Sequence, residues 1–337
     1  MKKEDRAIGS LVGGAVGDAL GYPVEFDDYE QIVFKYGKMG ITELVPVAGV
    51  SRISDDTQMT LFTLDGIFRA KSQNMLRRKE LPAFLYEAYL DWLSTQMGSP
   101  ASASDSPLMS YPELFFRRAP GNTCLSALYS GVMGTVDAPI NNSKGCGGVM
   151  RVAPIAIALS GRKGYTPPVI ASLCADAAAI THGHTLGFVS AAAFGYLLTL
   201  IMEGGELHAS VEQTAEGIGE MYGSKASASR MSSLLRQALE LSESEKSDVD
   251  AINELGEGWV GEEALAIAVY CSLKHKDSFT DTVVAAVNHS GDSDSTGSIA
   301  GNLIGAYLGS AAIPEKFTKD LELLSLITDY AKRSVHL

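Results

Sequence analysis

The chain has little positive charge, little cysteine and almost none of the residue alternation that marks a β-strand. Its 337 residues carry 27 Lys and Arg against 40 Asp and Glu, which gives a formal net charge of −13. Nucleic acid and anionic membranes both require a basic face, so this balance argues against either as the main partner. An anionic small molecule stays compatible, provided that metal ions, backbone N–H groups and helix N-termini supply positive potential locally.

The four cysteines are scattered and include no C-x-x-C pair, so we expect a reducing compartment and a cytoplasmic protein. At the N-terminus, Glu4, Asp5 and Asp18 interrupt the apolar stretch that a signal peptide requires. Residues 185–202 carry no charge and are just long enough to span a membrane. Because this stretch contains two glycines and has no basic flanks, we expect a helix in the core of a large helical protein.

Helical periodicity dominates the chain, and a strand pattern is nearly absent. Only residues 41–47 alternate like a half-buried strand. With 46% apolar residues and no clear linker, the sequence predicts one all-α domain over residues 1–337, with little or no sheet. Apolar residues recur at three-to-four spacing in several windows: 56–70, 169–180, 262–273 and 280–287.

Two stretches rich in serine predict exposed loops, at residues 98–107 and 242–250. The first is long enough to be either a lid or a plain connector. Glycine recurs every fourth residue in two further segments, which places all members of each set on one helical face. Because each glycine costs about 0.5–1 kcal/mol relative to Ala inside a helix, we expect two helices packed backbone to backbone at the centre of the bundle. The two sets are Gly9, Gly13, Gly17 and Gly21, and Gly297, Gly301, Gly305 and Gly309.

Two acidic clusters point to the chemistry. They read SDDT at 54–57 and DSDST at 292–296, and each runs into an apolar helical pattern. Either cluster alone could be a helix N-cap, since Ser and Asp are favoured there. Capping explains one polar residue but not adjacent carboxylates, whose repulsion requires a cation or a lost charge. Hard oxygen donors of this kind suit Mg²⁺ or Mn²⁺, so together the clusters predict a pair of metal ions and a metal-dependent hydrolase.

Four weaker signals accompany the clusters. Glu25 is the first carboxylate after the first glycine ladder, although alone it could simply be solvated. The loop KGCGGVMR at 144–151 is either a flexible turn or a phosphate cradle, and it does not match a P-loop. Cys146 has no base nearby in sequence and is not a predicted nucleophile. His182 in the run THGH either contacts a ligand or sits satisfied in the core, and Trp259 in GEGW is either a core ring or a stacking surface.

At this point the sequence resembles the ADP-ribosylglycohydrolases, from about residue 8 to residue 309. The resemblance rests on five motifs in the family's order: GDALG at 17–21 with Glu25, SDDTQM at 54–59, GCGGVMR at 145–151, Thr181 with His182, and GDSDS at 291–295. It implies an all-α, orthogonal helix bundle with two Mg²⁺ or Mn²⁺ ions at its centre.

The resemblance also implies site residues. Ser54, Asp55 and Asp56 look like ligands of one metal ion. Ligands of the second would be Glu25, Asp292, Asp294 and Ser295, with Asp294 bridging. Serine stands at 54 and 295 where many members have threonine, and the hydroxyl is kept. The ADP-ribose contacts would be Gly145, Cys146, Gly147, Gly148, Met150 and His182.

The implied reaction is hydrolysis of the bond between ADP-ribose and a protein side chain, most readily arginine. A metal-bound carboxylate would act as base, and Glu25, Asp55 and Asp292 are the candidates. Family members differ in the linkage they cleave, so serine-linked and small-molecule ADP-ribose derivatives stay open. Two other interpretations are an immunity protein that blocks an ADP-ribosylating toxin, and a metal-dependent nucleotide phosphohydrolase. The complete acidic clusters favour the enzyme over the purely binding role.

Overall fold

The computed structural model describes residues 1–98, 104–223 and 225–337. These residues form α-helices joined by loops and single 3-10 turns. In chain order the helices are α1 (Lys3–Gly21), α2 (Tyr29–Tyr36), α3 (Asp55–Ser72), α4 (Leu81–Gln96), α5 (Asn122–Tyr129), α6 (Ala153–Leu159), α7 (Pro167–Ala179), α8 (Thr185–Met202), α9 (Leu207–Tyr222), α10 (Ala226–Ser242), α11 (Asp248–Leu255), α12 (Gly261–Lys274), α13 (Phe279–Val287), α14 (Ser293–Leu308) and α15 (Leu324–Val335).

The predicted all-α class is confirmed. The four windows of helical periodicity fall on α3, α7, α12 and α13. Buried apolar side chains from Ala7 to Ala331 form one hydrophobic cluster, into which most of these helices pack. That the chain is a single domain stays a prediction.

The predicted strand at residues 41–47 is wrong. Within the described ranges the backbone forms isolated bridges and no strand, and the nearest bridge joins Val47 to Val50. Ile41 pairs instead with a side chain: its N–H donates to Asn288 Oδ1 at 2.8 Å, and Asn288 Nδ2 donates to its carbonyl at 2.9 Å. One asparagine therefore satisfies the backbone groups that a neighbouring strand would have taken.

The two glycine-ladder helices, α1 and α14, run antiparallel in direct backbone contact. A Cβ atom placed on Gly9 would lie 2.1 Å from the carbonyl oxygen of Gly305, and one on Gly13 would lie 2.4 Å from that of Gly301. No side chain fits between these backbones, so the ladder requires glycine for its close approach. The prediction of a tightly packed central pair is confirmed, and the pair carries Glu25 and the second acidic cluster at its adjoining ends.

Helix α8 is the described helix that is long and apolar enough to cross a membrane by length and composition. Of its residues, 83% are buried inside the protein, where α8 packs on α6, α7 and α9. A buried helix that is apolar all round is what the core of a large helical protein contains.

The two predicted loops have different outcomes. Residues 99–103 lie outside the described residues, so the lid at 98–107 stays a prediction. For the second loop, α10 ends at Ser242 and α11 begins at Asp248, and the residues between them are mostly exposed. Ser247 Oγ accepts a hydrogen bond from the Asp250 N–H at 3.2 Å and so caps α11. The exposed loop is confirmed, in a shorter form than residues 242–250.

Candidate active site

Both acidic clusters, the glycine-rich loop and the buried histidine line one cleft of about 370 Å³. They come from segments far apart in sequence and are brought together by the ends of α1, α3 and α14. The predicted site residues that line this cleft are Glu25, Asp55, Asp56, Gly145, Cys146, Gly147, Met150, His182, Asp292, Asp294 and Ser295.

The first cluster begins α3, and Asp18 of α1 holds it in place. The Asp18 carboxylate accepts hydrogen bonds from the Ser54 N–H at 2.9 Å and the Thr57 N–H at 3.1 Å, and also from the Thr57 hydroxyl. Ser54 Oγ accepts from the Asp56 N–H at 3.2 Å, which makes Ser54 the N-cap of the helix. Ser54 is fully buried and does not line the cleft, whereas Asp55 and Asp56 do.

The second cluster begins α14. Asp292 is its N-cap, and its Oδ1 accepts from the Ser295 N–H at 3.3 Å. The preceding Gly291 has a φ of 153° and lies so close to Glu257 that a Cβ would be 1.9 Å from the Glu257 carbonyl oxygen. That carbonyl also accepts from the Asp292 N–H at 2.9 Å, so the loop before α12 fixes the entry to the cluster.

A direct hydrogen bond joins the two clusters. Ser295 Oγ donates to Asp56 Oδ2 at 3.4 Å, across 239 positions of sequence. Burial raises the pKa of Glu25 to about 9 and that of Asp55 to about 8, and the charge of Asp292 adds to both effects. Burial together with neighbouring carboxylates also raises the pKa of Asp56 and of Asp294 well above the ordinary range.

Two carboxylate oxygens in this cleft, Glu25 Oε2 and Asp56 Oδ1, are buried and have no hydrogen-bond partner among the described residues. Unpaired buried oxygens are costly unless a ligand takes them. Hard oxygen donors crowded by like charge are the donor set that Mg²⁺ and Mn²⁺ prefer. In the described chain no three acidic, thiol or imidazole groups are already gathered as a metal site. Bare carboxylates repel one another, so an entering cation would have to draw them together.

The glycine-rich loop forms a single 3-10 turn, Cys146–Gly148, ahead of α6. A Cβ on Gly147 would lie 2.9 Å from Cys124 Sγ and 3.1 Å from His182 Cε1, so only glycine allows this approach. The Cys146 N–H is taken by the Trp259 carbonyl at 3.2 Å, which leaves fewer free N–H groups than the sequence suggested. Gly148 lies beneath the cleft surface, against Ala178.

Cys146 donates its thiol hydrogen to Asp292 Oδ2, with the sulfur 2.7 Å from that oxygen. Burial and the nearby carboxylates raise the pKa of this thiol well above its ordinary value. A neutral thiol is a poor nucleophile, in accord with the sequence-based prediction.

His182 belongs to a buried chain of hydrogen bonds. Arg151 Nη2 donates to Thr181 Oγ1 at 2.6 Å, and that hydroxyl lies 2.8 Å from His182 Nδ1. Because arginine can only donate, the Thr181 hydroxyl is free to donate to Nδ1, which favours the tautomer with hydrogen on Nε2. Burial, and then the charge of Arg151, lower the pKa of His182 to about 3, so the ring is neutral. His184 instead caps α8 through the Leu186 N–H at 3.0 Å, which separates the two histidines of the motif.

An aromatic pair stands at the mouth of the cleft. The rings of Phe26 and Trp259 stack with centroids 6.0 Å apart and an interplanar angle of 16°. Both line the cleft, and their exposed fractions are 74% and 40%. Of the two alternatives that the sequence left open for Trp259, the structure shows the exposed stacking surface and not the core ring. The exposed ring of Phe26 beside it was not predicted.

Sequence reasoning also missed one wall of the cleft, residues 119–124. Within it, the Gly121 N–H donates to Asp55 Oδ2 at 3.1 Å. The available signal was the Pro120-Gly121 turn directly before an apolar helix. The anchoring role of Asp18 was missed as well, although the residue lies in the GDALG motif.

The fold and the cleft define an all-α protein with an acidic, ligand-sized site at the ends of its two central helices. A family model described as ADP-ribosylglycohydrolase matches residues 1–337. The chain belongs to the ADP-ribosylglycohydrolase family, which consists of hydrolases that act on ADP-ribosylated substrates.

Known relatives agree with this membership. The chain is 27% identical to the ADP-ribosyl-(dinitrogen reductase) glycohydrolase of Rhodospirillum rubrum over 328 residues, which is 95% of this chain and 91% of that protein. It is 27% identical to ADP-ribosylhydrolase ARH3 of Mus musculus over 216 residues, 58% of this chain and 57% of that protein. A solved structure titled ADP-ribosylglycohydrolase-related protein complex has the same fold, with a TM-score of 0.70 at 23% identity, over 99% of this chain and 98% of that one.

Proposed function

We propose that the protein is a hydrolase, dependent on Mg²⁺ or Mn²⁺, that releases ADP-ribose from arginine side chains of ADP-ribosylated proteins. The observation that carries the proposal is the convergence of both acidic clusters, the glycine-rich loop and neutral His182 on one cleft. Family membership supports the ADP-ribosyl part of the substrate. The four free cysteines agree with the reducing cytoplasm proposed as its location.

Two divalent cations would be held by the oxygen donors that line the cleft. When bound, they would neutralise the crowded carboxylates, stabilise charge on the ribose hydroxyls and lower the pKa of a water molecule. Ser54 has its hydroxyl committed to the N-cap of α3, so among the predicted ligands it is the one least exposed to a cation. The donors that face the cleft are Glu25, Asp55, Asp56, Asp292, Asp294 and Ser295.

The glycine-rich loop, which contacts Asp292 through Cys146, and His182 would hold the diphosphate of ADP-ribose. His182 Nε2 lies 3.4 Å from the position of a Cβ on either Gly145 or Gly147, so it faces the glycine-rich loop. With Nδ1 occupied by Thr181, Nε2 carries the hydrogen and can donate to an anionic oxygen. The low pKa of His182 keeps this donor neutral over the physiological range.

Glu25 is the best-placed base. Its Oε2 has no partner, whereas Asp55 and Asp292 each accept a hydrogen bond from a neighbouring group, Gly121 and Cys146 respectively. The pKa of Glu25 is about 9 without metal ions, and bound cations would favour its ionised form. The ionised Glu25 would take a proton from water as the water oxygen bonds to C1 of the ribose and the C1–N bond to arginine breaks. The proton would then return to the released guanidine, which leaves as guanidinium.

The aromatic pair supports the arginine linkage. A guanidinium is attracted to the face of an aromatic ring, and Phe26 directly follows the proposed base. The surrounding carboxylates also favour a cationic leaving group over the neutral hydroxyl of a serine linkage.

The test compares leaving groups. Purified protein with Mg²⁺ or Mn²⁺ is incubated separately with arginine-ADP-ribosylated protein, serine-ADP-ribosylated protein and the nucleotide ADP, and the release of ADP-ribose and of phosphate is measured. We expect ADP-ribose from the arginine conjugate and no phosphate. Release of ADP-ribose from the serine conjugate alone would show that the protein cleaves the serine linkage and not the arginine linkage. Release of phosphate would indicate a phosphohydrolase. Tight ADP-ribose binding without cleavage of either conjugate would favour the binding role.

A further inference from the structure

A buried arginine without an acidic partner lies beneath the glycine-rich loop. Arg151 has a fully buried side chain, and its guanidinium donates to neutral acceptors, the Ala177 carbonyl at 3.2 Å and the Thr181 hydroxyl at 2.6 Å. Its Nε has no hydrogen-bond partner, and no carboxylate among the described residues forms an ion pair with it. The ring of Tyr89, 4.4 Å from the guanidinium carbon, compensates the charge only in part. Burying a cation without an anionic partner is costly, so packing alone does not account for this position.

The guanidinium lies directly under the wall of the cleft. Arg151 Nη1 is 3.4 Å from Cys124 Sγ, and Cys124 lines the cleft. A Cβ on Gly147 would lie 2.9 Å from the same sulfur, so the glycine-rich loop contacts the other side of Cys124. One side chain therefore separates the buried charge from a ligand on this wall. Water is excluded there, and the low local dielectric preserves the field of the arginine.

A second route from Arg151 to the cleft runs through Thr181 and His182. The Thr181 hydroxyl accepts from Arg151 and lies 2.8 Å from His182 Nδ1. Because a guanidinium cannot accept, the hydroxyl hydrogen is left to donate to Nδ1, and the ring hydrogen stays on Nε2. That Nε2 is 3.4 Å from the position of a Cβ on Gly147. Both routes thus end at the same corner of the cleft, beside Gly147.

We propose that Arg151 is a positioning residue for the diphosphate of the substrate. Its buried charge would attract the anion to the wall at Cys124 and Gly147. Its hydrogen bond to Thr181 would turn the N–H of His182 toward the same anion. The inference rests on the proposed function for the identity of the ligand, but the buried charge and the tautomer do not depend on it. Arg151 would explain how a chain with a net charge of −13 binds an anion beside a cluster of carboxylates.

The direct test compares a ligand that contains the diphosphate with one that lacks it. Calorimetry with Mg²⁺ measures the affinities of the full chain for ADP-ribose and for adenosine. Arg151→Met, which keeps the length of the side chain and removes its charge, should weaken ADP-ribose binding by on the order of 10-fold and leave adenosine binding unchanged. Equal weakening of both ligands would overturn the proposal, because a role in packing alone predicts that result.

Thr181 provides variants that leave the buried arginine in place, in case Arg151→Met does not fold by circular dichroism. Thr181→Ser keeps the hydroxyl and Thr181→Val removes it. Long-range ¹H–¹⁵N NMR reports which nitrogen of His182 carries the hydrogen, and its signal is assigned by its loss in His182→Gln. We expect the hydrogen on Nε2 in the unaltered protein and in Thr181→Ser. Thr181→Val should give a mixture of tautomers and bind ADP-ribose ~2–10-fold more weakly.

Thr199→Val is the matched control. Thr199 is fully buried like Thr181, but its hydroxyl donates to the Gly195 carbonyl at 2.6 Å within α8. This variant should keep both the tautomer of His182 and the preference for ADP-ribose over adenosine. Hydrogen on Nδ1 in the unaltered protein, or the same ligand preference in Thr181→Val and Thr199→Val, would overturn the proposal. Failure of the proposed function is a separate result, since it is measured as absent ADP-ribose release from the arginine conjugate and leaves the tautomer and the ligand preference untouched.

Discussion

Gly17 of α1 faces Gly297 of α14 so closely that a Cβ on Gly17 would lie 1.9 Å from the Gly297 carbonyl oxygen. The neighbouring backbone cannot yield as a flexible side chain would. Gly17→Ala should therefore lower the free energy of unfolding by at least ~1–3 kcal/mol, the usual cost of overpacking a core. Urea unfolding followed by circular dichroism measures this change.

Gly219 in α9 provides the matched control. A Cβ at that position would meet nothing within 4 Å, and its backbone φ is not in the left-handed region. Gly219→Ala should therefore raise the free energy of unfolding by about 0.5–1 kcal/mol. Equal effects of the two substitutions would contradict the close packing of α1 on α14.

The Asp18 carboxylate is predicted to position the first acidic cluster. Asp18→Asn keeps the shape but turns an NH₂ group toward N–H and O–H donors from Ser54 and Thr57. Leaving such donors unpaired costs ~1–3 kcal/mol, so the melting temperature should fall. Calorimetry with Mn²⁺ should also show weaker binding, because Asp55 and Asp56 lose their fixed position. A variant with unchanged Mn²⁺ affinity would limit Asp18 to a role in stability.

The metal-free protein should lose stability as pH rises. Burial raises the pKa of Glu25 to about 9 and of Asp55 to about 8, from ordinary values of 4.5 and 3.8. A group with a raised folded-state pKa gives stability that is present below the unfolded value and is lost as pH rises through the folded value. In EDTA, the contribution of these two groups to stability should decline from about pH 4 to about pH 9, and the melting temperature should fall with it.

Two controls check the origin of that loss. Glu25→Gln cannot ionise and should flatten the dependence on pH, and excess Mg²⁺ should restore stability at the alkaline end by neutralising the carboxylates. A melting temperature that is constant with pH in the metal-free protein would show that these groups are not crowded as described.

The aromatic pair should affect arginine conjugates selectively. Trp259→Ala removes one face of the stacked pair, and a cation–π contact contributes ~0.5–2 kcal/mol. The KM for an arginine conjugate should therefore rise by ~2–30-fold, with a smaller change in kcat. Tyr129→Ala, an exposed aromatic residue that does not line the cleft, is the control. An equal change in KM with both variants would show that the aromatic pair does not contribute to substrate recognition.

The predictable parts of this protein are those where sequence violates a local preference. Four glycines spaced every fourth residue in a helix, or adjacent aspartates before an apolar run, lower stability unless a distant partner compensates. The glycine pattern therefore predicted the contact of α1 with α14, and the aspartate pattern predicted the acidic cleft. Eleven of the predicted site residues line that cleft, while Ser54 and Gly148 lie beneath its surface.

The unpredicted parts depend on partners far along the chain. Residues 41–47 alternate like a strand, yet Asn288 takes the backbone groups of Ile41. Phe26 is an ordinary exposed residue by sequence, and only the fold stacks it on Trp259. The wall at residues 119–124 has a common turn composition, and its Pro120-Gly121 turn alone does not distinguish it from other loops.

The measurement that tests the central claim most directly is ADP-ribose release from an arginine conjugate by three forms of the protein: unaltered, Asp292→Asn and Asp277→Asn. Asp277 is an exposed aspartate away from the cleft and serves as the matched control. We predict that the unaltered protein and Asp277→Asn release ADP-ribose with Mg²⁺ or Mn²⁺ and stop in excess EDTA, and that Asp292→Asn releases none. Full turnover by Asp292→Asn, or undiminished release in EDTA, would contradict a metal-dependent site at the ends of α1, α3 and α14.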